Sequence, residues 1–147
     1  MKMSKEEYKA YAEKHMPRSK VSRNMLRAFV VGGAICCLGQ FLLNVYMHVG
    51  FEEKQAASLE SVSLVFIGAL LTGLGIYDDI AKFAGAGTLV PITGFANSVV
   101  SPALEFKTEG FITGTAAKMF VISGPVIVYG VCAGTVYGFI YWIMSLF

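Results

Sequence analysis

Polar and apolar blocks alternate along this chain at lengths that suit a bilayer. Residues 1–16 are polar and helix-prone, with Ser4 and Glu7 spaced as a capping box. Tyr8, Tyr11 and His15 share one face of that helix, and Pro17 is expected to end it. The face is read either as an interfacial or partner-binding surface or as a solvated helical tail. Ala28–Val49 then forms an apolar run of 22 residues. As a helix that run measures about 33 Å, enough for a bilayer core. After a short acidic loop over 50–60, expected outside the cell, a second span is read over 59–80. From Phe111 to Phe147 a third apolar stretch carries Lys118 as its only charge. It is too long for one span, and the sequence divides it at Ser123-Gly124-Pro125 into a helix over 110–123 and a span over 125–145.

Between the second and third runs the pattern breaks. Residues 83–109 read FAGAGTLVPITGFANSVVSPALEFKTE, too apolar for a surface loop and too interrupted for one helix. Gly85, Gly87, Pro91, Gly94 and Pro102 each weaken or end a helix, through backbone entropy or through a missing donor and a clash. Such a segment at membrane depth is tolerated only where it is buried in protein or lines a watery cavity. Two short half-helices, 81–86 and 93–100, are expected to meet at GAGTLVP. Half-helix N-termini direct unpaired N–H groups into such a site, which suits an anionic solute. Gly85, Gly87, Thr88, Pro91, Thr93, Gly94, Phe95, Asn97 and Ser98 are therefore the candidate solute pathway, with a tightly packed kinked helix as the competing reading.

Composition agrees with a membrane class. Hydrophobic residues make up 55 % and charged residues 15 % of the chain, against roughly 25 % charged in a typical soluble domain. Eight of the twelve basic residues lie in the first 27 positions, so the positive-inside rule puts the N-terminus in the cytoplasm. A retained first helix is expected rather than a cleaved signal, because a long charged segment precedes it and no small-residue cleavage site follows. Residues 1–27 thus form a basic cytoplasmic helix and linker, and 28–147 a membrane domain. The fold class is all-α integral membrane protein, with an amphipathic N-terminal helix and about four to five membrane helices including the broken or re-entrant segment.

Polar groups inside the runs narrow the chemistry. Gln40 and Asn44 are four residues apart and make a polar stripe facing a pore, a partner or a neighbouring helix. Gly130, Gly134 and Gly138 form GxxxGxxxG, a close-packing face for another helix. Cys36, Cys37 and Cys132 have no disulfide or metal spacing. The two histidines, His15 and His48, belong to no triad or metal constellation, so no catalytic residue, metal site or cofactor is expected.

FVVGGAICCLGQ and the pattern GIYD–FAGAG–VPITGFANS–ALE–K–EG resemble the stage V sporulation protein AC family of spore-forming Firmicutes. The likeness runs from Arg27 over nearly the whole chain. A shorter sister family, AE, shares the FAGAG–VPIT core. The resemblance implies a subunit of a spore inner-membrane assembly that moves pyridine-2,6-dicarboxylic (dipicolinic) acid, with calcium, into the forespore and releases it at germination. It further implies mechanosensitive gating, AE-type membrane and AD-type soluble partners, membrane lipid contact and homo- or hetero-oligomers. It implies neither enzymatic activity nor a nucleic-acid partner. A non-conducting scaffold for the same assembly is the alternative.

Overall fold

The computed structural model describes residues 4–15 and 20–146. Pro17, Arg18 and Phe147 lie outside them. Among the described residues there are helices and no strands. Helix α1 (Lys5–His15) opens on the expected reciprocal cap. The Glu7 N–H donates to Ser4 Oγ at 3.2 Å, and the Ser4 N–H donates to Glu7 Oε2 at 2.8 Å. Tyr8 and Tyr11 are both exposed.

Helix α2 (Val21–Val49) starts before the expected residue 28, so Arg23 and Arg27 form its first turns. Leu, Met and Arg are good helix formers, and nothing between Val21 and Ala28 interrupts the run. Gly50, at φ 109°, ends it. The Gly50 N–H donates to the Met47 carbonyl and the Phe51 N–H to the Tyr46 carbonyl, closing a Schellman cap.

Helix α3 (Glu53–Gly73) begins earlier and ends earlier than the 59–80 expected. Gly75 adopts φ 74°, a left-handed conformation that stops the helix, and α4 (Ile76–Ala84) starts afresh with Tyr77 and Ile80 in it. Glu60, assigned from sequence to an external loop, instead lies inside α3. The chain then breaks at Gly85, makes one turn as α5 (Ala86–Leu89), and breaks again at Pro91 before α6 (Ile92–Glu105). Pro102 is accommodated inside α6, and the half-helices are longer than the 81–86 and 93–100 expected.

A 3-10 turn (Lys107–Glu109) and a π-helical turn (Phe111–Ala116) lead into α7 (Ala117–Met144). No break occurs at Ser123-Gly124-Pro125. A proline deletes a single donor, and membrane helices absorb that loss by local adjustment. The Ser123 hydroxyl donates to the Met119 carbonyl at 2.7 Å in the same turn. The helices expected over 110–123 and 125–145 are one continuous rod with a π-helical start.

Three helical segments, Val21–Val49, Glu53–Gly73 and Phe111–Met144, are long and apolar enough to cross a membrane. The broken segment is folded against them: α5 packs on α2, while α6 packs on α3 and on α7. The buried core is small, with Ala56, Leu64, Tyr77, Ala84 and Ala96 as its apolar members.

Candidate functional site

Glycines set the depth at which the broken segment docks. Gly87 is buried against α2, where a Cβ would collide with the Ala28 carbonyl. One turn along, a Cβ on Gly32 would meet the Gly87 carbonyl at 3.3 Å. On the other side, a Cβ on Gly68 of α3 would stand 3.0 Å from the Thr93 carbonyl. Gly94 in turn lies under the Thr88 carbonyl, so the turn between α5 and α6 folds back on itself. Gly85 is exposed at the hinge with φ 55° and ψ −120°, a conformation open in practice only to glycine.

This docking brings three hydroxyl-bearing residues to one point. Tyr77 of α4, Thr88 of α5 and Thr93 of α6 are all buried. The Tyr77 hydroxyl donates to the Thr88 carbonyl at 2.9 Å and hydrogen-bonds Thr93 Oγ1 at 3.1 Å. A phenol has one proton and a carbonyl can only accept, so the proton of the second bond belongs to Thr93. Thr88 Oγ1 donates to the Gly85 carbonyl at 3.0 Å, closing its own turn. Among the described residues no buried side-chain polar atom lacks a partner.

The three residues form one wall of a cavity of about 220 Å³. Its other walls are apolar, with Val31, Ala34, Ile35 and Leu38 from α2 and Ile67 and Leu71 from α3. The site is therefore a greasy, partly open chamber with a hydroxyl patch, lined by every element of the broken segment and by two long helices. Its three hydroxyl protons are already given to the Thr88 carbonyl, the Tyr77 oxygen and the Gly85 carbonyl, so the wall presents acceptor oxygens in an otherwise apolar lining.

The remaining predicted residues lie elsewhere. Asn97 is half-buried and meets Thr72 of α3, with 3.0 Å between Oδ1 and Thr72 Oγ1. Thr72 Oγ1 also lies 2.7 Å from the Gly68 carbonyl and donates there. The contact with Asn97 is then satisfied with the amide turned over, its NH₂ donating to Thr72. The Ser98 hydroxyl donates to the Phe95 carbonyl, a local bond, and Phe95 and Pro91 are half-buried. Gln40 and Asn44 are exposed on α2, and Gly130, Gly134 and Gly138 stand open on α7. Among the described residues no three of His, Cys, Asp and Glu gather closely enough to hold a metal.

Where the start of α2 meets the end of α4, Arg27 stacks on the Phe83 ring with 4.5 Å from its guanidinium carbon to the ring centroid. Lys82 beside it pairs with Asp78 at 2.8 Å and Asp79 at 3.4 Å. The Asp78 carboxylate holds the Lys82 ammonium above the ordinary lysine range, chiefly through that hydrogen bond. The two aspartates thus serve an exposed ion pair.

Residues 24–140 match the model of the SpoVAC/SpoVAEB sporulation membrane protein family. The chain belongs to that family. It is 50 % identical over 137 residues to the stage V sporulation protein AC of Bacillus subtilis (strain 168), covering 92 % of this chain and 91 % of that one. No solved structure matches it. The matched region contains every element of the chamber, and it leaves out α1.

Within this family member, sequence reasoning missed Tyr77. It sits in the GIYD motif, and the signal was present: Tyr77, Ile80 and Ala84 recur at i, i+3 and i+7, one face of a short helix. Reading 59–80 as continuous concealed that face. Glu60, read as part of the acidic loop over 50–60, is carried by α3 against α2 instead. It lies beside Gly39 of α2, where a Cβ would stand 2.6 Å from Glu60 Oε1.

Proposed function

We propose that this membrane protein is a channel subunit that carries dipicolinic acid, with calcium, across the inner membrane of the forespore and releases it at germination. The observation that carries the reading is the chamber built by Tyr77, Thr88 and Thr93 where a twice-broken helix docks between α2 and α3. Discontinuous helices at membrane depth are how transport proteins build solute sites, because the breaks free backbone groups and the packing around them excludes lipid. The relative's name, a stage V sporulation protein, supports the cellular setting.

The same reading assigns a topology. Helix α6 spans 14 residues, or about 21 Å, which is short of a bilayer core of about 30 Å. The broken segment therefore enters and returns on one side. With the basic N-terminus cytoplasmic, α2 runs outward and α3 inward, α4–α6 form a re-entrant hairpin, and α7 runs outward. Membrane tension that parts α2 from α3 would loosen the chamber, which fits mechanosensitive gating. AE-type and AD-type proteins of the same operon complete the assembly.

Cysteine accessibility tests this. In a background lacking Cys36, Cys37 and Cys132, single cysteines are placed from residue 85 to residue 100 and probed in native spore membranes with an impermeant thiol reagent. Labelling that reaches Thr88→Cys and Thr93→Cys and is blocked by dipicolinate is expected. Reactivity confined to the ends of the segment, indifferent to dipicolinate, would overturn the proposal.

A further inference from the structure

The outward face of α2 carries polar groups that the chain itself does not use. Gln40 and Asn44 are both exposed, and Gln40 Nε2 donates to Asn44 Oδ1 at 3.0 Å. That single bond leaves the Gln40 carbonyl and the Asn44 amide hydrogens without a partner among the described residues. Gln40 stands about 20 Å along the helix from Arg27 and about 15 Å from Gly50, well within the apolar length. Unpaired amides at that depth are costly against lipid and are normally turned to protein or water.

The residues around the amides are small and regularly placed. Gly33, Cys37, Gln40 and Asn44 follow spacings of four, three and four, the rhythm of a helix seam. Cys37 is exposed, and a Cβ on Gly33 would meet nothing within 4 Å, so the seam is open along its length. The inward face of the same helix, with Gly32 and Gly39 on α5 and α3, is already occupied.

We infer that this face is a seam between two copies of the chain, packed in parallel about an axis normal to the membrane. The chemistry favours a second copy over any other helix. Copies inserted the same way bring each residue opposite itself, so amides meet amides at equal depth. A carboxamide both donates and accepts, so it complements itself. A buried asparagine or glutamine pair of this kind fixes register between helices, and small neighbours admit the close approach it needs. This inference is independent of the solute path, which lies on the opposite face of α2.

The native cysteine in the seam provides the test. The full chain carrying Cys36→Ser and Cys132→Ser, with Cys37 retained, is oxidised in native membranes and its mass read on a denaturing gel. A covalent dimer of twice the chain mass is expected, and Gln40→Leu with Asn44→Leu should reduce its yield about tenfold or more. Val45→Cys, in a chain lacking the native cysteines, lies on another face of α2 and should stay monomeric. The inference is overturned if Cys37 yields only monomer in the inserted protein or links only to a chain of different mass. It is equally overturned if Val45→Cys cross-links as readily or if the double leucine variant cross-links undiminished.

Discussion

The hydroxyl of Tyr77 lies 2.9 Å from the carbonyl oxygen of Thr88, across the first break of the hairpin. The two residues belong to different helices, and the same hydroxyl reaches Thr93 beyond the second break. One phenol thus ties together three elements that have no continuous backbone ladder between them. Tyr77→Phe keeps the ring and removes both bonds, leaving a buried carbonyl short of a donor. We expect it to cost about 1–3 kcal/mol, the range for an unsatisfied buried acceptor. Thr93→Val leaves the Tyr77–Thr88 bond intact and should cost about half as much. Denaturant unfolding in detergent reads both, and a neutral Tyr77→Phe would mean that the residue acts through the packing of its ring alone.

Close backbone approach sets a second expectation. A methyl group at Gly87 would run into the Ala28 backbone, which cannot move aside as a flexible side chain does. Gly87→Ala should therefore destabilise by about 1–3 kcal/mol, as overpacking does. Gly73, at the end of α3, has nothing within 4 Å of its Cβ position. Gly73→Ala should be neutral or stabilising by up to about 1 kcal/mol, the helix-propensity difference. Thermal unfolding of the two variants side by side checks the contrast.

The N-terminal cap gives a pH dependence of known sign. The Ser4 backbone N–H, and then its hydroxyl, hold the Glu7 carboxyl below its ordinary range. A carboxyl whose folded pKa is depressed contributes stability above its unfolded value of 4.5, and that stability is lost as pH falls through the folded value. Amide exchange in the first turn of α1 should therefore accelerate when pH drops below about 4.5, after correction for intrinsic rates. In Ser4→Ala the acceleration should be smaller, because the hydroxyl half of the cap is gone.

How far the sequence disclosed this architecture depends on the kind of signal involved. Long apolar runs reveal α2 and α7 because lipid-length periodicity is a property of many residues at once. Gly85 and Pro91 announce the broken segment because each has a local backbone reason to interrupt a helix. Gly75 gives no such notice, since a glycine inside an apolar run can pack helices or end one, and only its φ of 74° decides. Pro125 was misread in the opposite direction, as a break that the rod of α7 absorbs. Of the proposed pathway, Thr88 and Thr93 do meet, but through Tyr77, whose part depends on a helix boundary that the pattern alone does not mark. Asn97 shares a helix with Thr93 yet bonds Thr72 of α3, a pairing set by tertiary packing.

The glycines of α7 carry the last expectation. Residues 125–146 are exposed all round, and Cβ atoms at Gly130, Gly134 and Gly138 would meet nothing within 4 Å. Apolar exposure alone is unremarkable against lipid. Three glycines in one row are not, because each weakens the helix by about 1 kcal/mol relative to alanine. The compensation such rows obtain elsewhere is close contact with another helix backbone. Gly134→Ile should then leave unfolding of the isolated chain within about 0.5 kcal/mol of wild type, as an open site does. It should also lower recovery of partner chains when the protein is purified from sporulating cells under mild detergent. Lost stability of the isolated chain would place the row inside this fold, and undiminished recovery would place it against lipid.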